Sequence, residues 1–196
     1  MEERIPTRQE AFALLQEFNR NPSLIHHALA VEGVMRYLAE KHGEDQEQWG
    51  IIGLIHDLDY EQYPDQHCKK TAEILEERGW PAEYVRAVVS HGWGICVEVE
   101  PRSRLEKTLY AIDELTGLVA ASALVRPSKS VMDLTPKSVR KKWTQKGFAA
   151  GVDRGIIEKG ARMLGVETQE LIADVIMGMR QVADQIGLGM GDDGAC

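Results

Sequence analysis

The segment NPSLIHHALAVEGVMRYLAEKHG, residues 21–43, decides the fold class. Asn21 is a favoured helix cap, and Pro22 suits the first helical position, where its missing N–H leaves no bond unmade. Leu24, Ala28, Val31, Met35 and Leu38 then recur every three or four residues, the spacing of one face of an α-helix. His42-Gly43 supplies a C-terminal cation and a glycine stop. At 100° per residue, His27 lies about 60° from the centre of the apolar stripe and His26 about 160° away. His27 therefore borders the core, whereas His26 faces water.

Working outward, the same signals repeat. Thr7 and Glu10 form a capping box that opens a helix to about Phe18. A third helix runs from about Asp45 to His56, a fourth from Asp65 to Gly79, and a fifth from Pro81 to His91-Gly92. Ser103 and Glu106 make a second capping box before a helix that carries Leu105, Leu109, Ile112, Thr116, Val119 and Ala123 at helical spacing. Thr135-Pro136 starts a basic helix, and two more occupy Arg154 to Leu164 and Thr168 to Ile186. With no period-2 strand, repeat or linker, the expected architecture is all-α, a single helical bundle over residues 1–186 with a flexible tail at 187–196.

Composition agrees. The 196 residues are 43% hydrophobic, 28% charged and only 6% aromatic, which favours a helical globular domain over a β-sandwich or a disordered chain. Cys68, Cys96 and Cys196 form no CxxC pair and are odd in number, so a disulfide framework or cysteine-based zinc site is not expected. The charged N-terminus and short apolar runs predict a cytoplasmic protein with no membrane partner. A net charge of −8 argues against general nucleic-acid binding and leaves homo-oligomerisation open. Seven basic residues crowd between Arg126 and Lys146 against the one acid Asp133. That segment is either a solvated helix or subunit face, or an attractor of anions.

The chemistry-bearing residues are His27, the pair His56-Asp57, then His67, His91 and Asp113. Asp113 lies about 80° from the centre of its helix stripe and Glu114 nearly opposite, so Asp113 is expected inward and Glu114 solvated. His67 precedes Thr71 and Ile74 by a turn or two at the start of its helix, and His91 shares a face with Tyr84, Ala87 and Val88. Polar groups at a core edge need partners, because burying them alone costs several kcal/mol. One partner shared among six groups, a metal centre, is the economical solution. The plainer reading leaves His67 on the surface and makes His91 a helix cap.

The series His27, His56-Asp57, Asp113, with the local sequence GLIHDLDY at 53–60, resembles the signature of the HD-domain metal-dependent phosphohydrolases. The segments DELTGLVAASALVRPSKS and KSVRKKWTQKGFAAGVDR are similar to those of bacterial HD-superfamily hydrolases, extending the likeness over most of the chain. The resemblance implies a helical fold in which His27, His56, Asp57 and Asp113 ligate one metal. His67 and His91 mark the binuclear branches, in which Asp57 bridges to a second ion. His nitrogens with carboxylates suit Fe or Mn, with Zn, Co and Ni as further candidates. Such a pair of ions can activate a hydroxide and polarise a phosphoryl group.

The expected function is therefore hydrolysis of a phosphoester or phosphoanhydride in a small metabolite or nucleotide. Asp57 and Asp59 are the candidate catalytic residues; Asp59 and Glu61 either back a ligand, serve as a leaving-group acid, or decorate an exposed turn. Arg126, Lys129, Lys137, Arg140 and Lys141 are candidate phosphate contacts. Tyr60 departs from the branch that splits dinucleoside tetraphosphates, which usually carries Lys there. The same ligand set also resembles di-iron HD oxygenases, and HD domains that have lost ligands act as non-catalytic interaction modules.

Overall fold

The computed structural model describes residues 5–145 and 147–190. Among these, nine α-helices and a one-turn 3-10 helix at Pro64–Gln66 account for the regular structure, and the only β pairing is an isolated Trp93–Val97 bridge. The helices are α1 (Arg8–Phe18), α2 (Pro22–His42), α3 (Gln46–Ile55), α4 (Lys69–Glu77), α5 (Ala82–Ser90), α6 (Arg104–Leu124), α7 (Pro136–Trp143), α8 (Arg154–Leu164) and α9 (Thr168–Gln181). The all-α expectation holds. None of these helices is long and apolar enough to cross a membrane.

The local signals act as their chemistry requires. Thr7 and Ser103 form reciprocal capping boxes with Glu10 and Glu106, Asn21 caps α2 through the Ser23 N–H, and Gly43 ends it in the left-handed conformation. The fourth helix begins four residues later than its sequence suggests. Pro64–Gln66 makes the 3-10 turn, and Cys68 then takes a φ of 66°, so the chain breaks at His67-Cys68 before α4.

The two 21-residue helices α2 and α6 pack together at the centre. The α3 helix packs on α2, with α1 on α3 and α5 touching both α3 and α6; α9 packs on both α2 and α6. The α2–α9 crossing is close because both helices offer glycine. A methyl at Gly33 would stand 2.7 Å from Val182 Cγ2, and one at Gly178 2.6 Å from Val34 Cα. Charge reinforces the packing. Buried Glu32 accepts a two-pronged bond from Arg8 at 2.6 and 2.9 Å and a third from Arg36 at 2.9 Å, joining α1 to α2.

The packed chain continues past the expected boundary at 186. Leu188 is buried, and its carbonyl accepts bonds from the Val131 N–H and the Ser130 hydroxyl, both at 2.9 Å, so an apolar side chain and backbone pairing hold that part of the expected tail. Residues 191–196, including Cys196, lie outside the described residues, as does Lys146 of the basic segment.

Candidate metal centre

Six side chains from five places in the chain converge. His27 comes from the first half of α2, His56 caps the C-terminus of α3 with Asp57 immediately after it, and Asp113 projects from the middle of α6. His91 caps α5, and His67 occupies the break before α4. The turn that carries Asp57 is fastened to the α1–α2 corner. Buried Asn19 donates to the Leu58 carbonyl at 2.9 Å, and Glu61 accepts the N–H groups of Arg20 and Asn21 at 2.7 and 2.9 Å. Those two backbone bonds hold the exposed Glu61 carboxyl below its ordinary range. Glu61 is thus a staple of the turn.

Asp57 faces two clusters with its two oxygens. Oδ2 lies 3.3 Å from His56 Nε2 and 3.8 Å from His27 Nε2; Asp113 Oδ1 completes this side at 3.0 Å from His27 Nε2 and 3.3 Å from His56 Nε2. Oδ1 lies 3.3 Å from His91 Nε2 and 3.5 Å from His67 Nε2. The two imidazole Nε2 atoms of His67 and His91 are 3.2 Å apart.

The other ring nitrogens explain what these atoms can do. His56 Nδ1 donates to the Gly53 carbonyl at 2.8 Å, His91 Nδ1 to the Val88 carbonyl, and His67 Nδ1 to Asp59 Oδ1 at 2.8 Å. Each neutral ring then carries its lone pair on Nε2, and all three lone pairs aim at the carboxylates. Buried His56 Nε2 has no hydrogen-bond partner. Such a convergence of acceptors is stable only around positive charge. In the bare protein, burial pulls the His56 imidazolium down, but Asp57 and Asp113 outweigh it and hold its proton well above the usual range. Burial likewise opposes ionisation of Asp57 and Asp113, yet His56 and its fellow imidazoles hold both carboxyls well below their usual range. The donor set of imidazole nitrogens and carboxylate oxygens fits a divalent metal: His27, His56, Asp57 and Asp113 could hold one ion, and His67 and His91 face a second position across Asp57.

The remaining sequence candidates fall elsewhere. Asp59 has no exposed surface, so it neither decorates a turn nor reaches a leaving group; Oδ1 orients His67, and Oδ2 accepts the Thr71 N–H at 2.9 Å, in place of a local cap on α4. His26 is exposed, as its helix face requires. A cleft of about 280 Å³ opens onto the ligands and is lined also by Tyr60, Ile95, Glu114, Gly117 and Gly151. Arg126, Lys129, Lys137, Arg140 and Lys141 do not line it. The reason is helical rise: the basic segment begins beyond Leu124, eleven residues after Asp113, or about 17 Å along α6. Arg126 pairs with Asp133 at 2.7 Å, and Arg140 lies over the Trp143 ring.

Glu114 departs from its expected solvated position. Burial and the neighbouring Asp113 push its carboxyl up to about 7, while the Asp153 N–H bonds to it at 3.2 Å. Helix periodicity does not reveal this, because the cleft opens on the polar flank of α6, over which the chain before α8 folds back. Tyr60 stands edge-on to His67, with ring centroids 5.2 Å apart.

Residues 24–118 match the family model described as HD domain. That span runs from α2 to α6 and contains all six converging residues. The helical fold and the His-Asp cluster within this span both fit that match.

Proposed function

We propose that this chain is a two-metal phosphohydrolase acting on a small phosphorylated metabolite or nucleotide in the reducing cytosol. The observation that carries the reading is Asp57, whose two oxygens are divided between two clusters of nitrogen donors at 3.3–3.8 Å. HD-domain proteins are mostly metal-dependent hydrolases, and the ligands here are complete. Bound Fe or Mn ions would polarise a phosphoryl oxygen and lower the pKa of water, and would supply the positive charge that the cleft lining, free of Lys and Arg among the described residues, does not.

The protein's own residues position everything else. Gly53 and Val88 carbonyls fix His56 and His91, Asp59 fixes His67, and the stapled turn fixes Asp57. Tyr60 and Ile95 stand at the cleft mouth. An apolar cavity of about 480 Å³, lined by Ala30, Ala120, Leu124 and Met179, shares His27 and Gly117 with the cleft. A substrate with its phosphoryl group at the ligands can lay its less polar body there.

Elemental analysis of freshly purified protein, followed by phosphate-release assays across mononucleotides, dinucleoside polyphosphates and sugar phosphates, tests this. Phosphate release that scales with metal content supports it. Oxygen uptake without phosphate release would make the centre an oxygenase, and full metal loading with no turnover would make it a non-catalytic module.

A further inference from the structure

The second metal position has a neighbour that the ligand pattern does not include. Cys68 is fully buried, directly follows His67, and takes its positive φ without being glycine. Its Sγ lies 3.9 Å from His91 Nε2, and His67, Cys68 and His91 each bring a donor atom to within 4.8 Å of the others. We propose that Cys68 is a thiolate ligand to the second ion, joining His67 Nε2 and His91 Nε2, which Asp57 Oδ1 faces.

Geometry carries this. A tetrahedral ion with bonds of about 2.0–2.1 Å to nitrogen or oxygen and about 2.3 Å to sulfur separates its ligands by about 3.3 Å for the light atoms and about 3.6 Å for nitrogen and sulfur. The separations here are 3.2 Å between the imidazole nitrogens, 3.3 and 3.5 Å from them to Asp57 Oδ1, and 3.9 Å from His91 Nε2 to the sulfur. Both histidines present lone pairs, because Val88 and Asp59 take their Nδ1 protons. The surroundings suit a sulfur acceptor. Cys96 donates its S–H to Cys68 Sγ at 3.2 Å, and Gly92 makes room for both sulfurs, since a methyl there would stand 2.5 Å from each. On binding, the thiol loses its proton to solvent and the sulfur lone pair takes the ion. One soft ligand would bias this position toward zinc or ferrous iron, while the all-N,O position on the other side of Asp57 keeps no such bias.

This rests on the cluster being a metal centre and is independent of the reaction proposed above. Stepwise titration of the metal-free protein with Co(II) tests it, because thiolate-to-cobalt charge transfer absorbs in the near ultraviolet and nitrogen or oxygen ligation does not. The band should grow with the second equivalent, persist in the C96A/C196A double variant, whose sole thiol is Cys68, and vanish in Cys68→Ala, with affinity for that equivalent lowered at least about tenfold. Visible d–d bands without the near-ultraviolet band in the wild type, at one or two bound ions, would overturn the assignment. So would loss of the band in the C96A/C196A variant while cobalt stays bound.

Discussion

His67 donates its Nδ1 proton to Asp59 Oδ1 at 2.8 Å, and Asp59 has no exposed surface. A carboxylate so placed fixes the ring's tautomer and aim, and raises the basicity of the nitrogen that faces the ligand cluster. Asp59→Ala should therefore weaken binding of the second ion by about 10–100-fold while leaving the first nearly unchanged. Chelator competition on the folded variant measures this. Equal weakening of both ions would assign Asp59 a role in the fold alone.

Protons and metals compete for the same atoms. Burial lowers the affinity of His56 for its proton, but Asp57 and Asp113 raise it further, so the metal-free protein keeps that proton well above the ordinary value of 6.5. His67 is shifted the same way by Asp59 and Asp57 against its burial. A raised folded-state pKa stabilises the metal-free fold below the unfolded value, and that contribution is lost as pH rises through the folded value. Metal binding must release the same protons, so affinity rises with pH. The increase in Tm on loading should therefore grow from about pH 6 to about pH 8. Thermal scans with and without metal check it; a shift that stays flat or shrinks would contradict it.

The basic segment lies off the cleft, with Arg126 already tied to Asp133. Replacing Lys137, Arg140 and Lys141 together with Ala should leave metal content unchanged and KM within about twofold of wild type, since screened charges outside the site act weakly. Steady-state kinetics at two salt concentrations decide it. A large rise in KM that salt no longer affects would return these residues to the substrate.

Glu32 is a matter of stability rather than chemistry. It is buried between Arg8 and Arg36, and Glu32→Gln should cost about 1–3 kcal/mol, below the value for a fully buried pair because the Arg8 side chain is 39% exposed. Denaturant melts measure the loss. Metal stoichiometry should not move.

Much of this was legible in the sequence because it is written locally. Capping pairs such as Thr7 with Glu10 and Ser103 with Glu106 mark helix starts wherever the chain later packs. Helix faces separated His27 from His26 for the same reason. What the sequence hid depends on contacts across it. Asp59 bonds to His67 and Thr71 eight and twelve residues away, through a break at Cys68 that no helix signal announces. Glu114 looked solvated because its own helix faces water there, and only the returning chain near Asp153 covers it. Cysteine number and spacing carry no signal for Cys68, a lone thiol that only the fold brings beside two histidines.

The division of Asp57 between two clusters is the central claim, and metal stoichiometry tests it most directly. Wild-type protein reloaded with Mn or Fe after chelation should bind about two ions per chain, and Asp57→Ala should lose both, because its oxygens face His56 and His91 alike at 3.3 Å. A wild type that saturates at one ion, or an Asp57→Ala protein that still holds two, would contradict it.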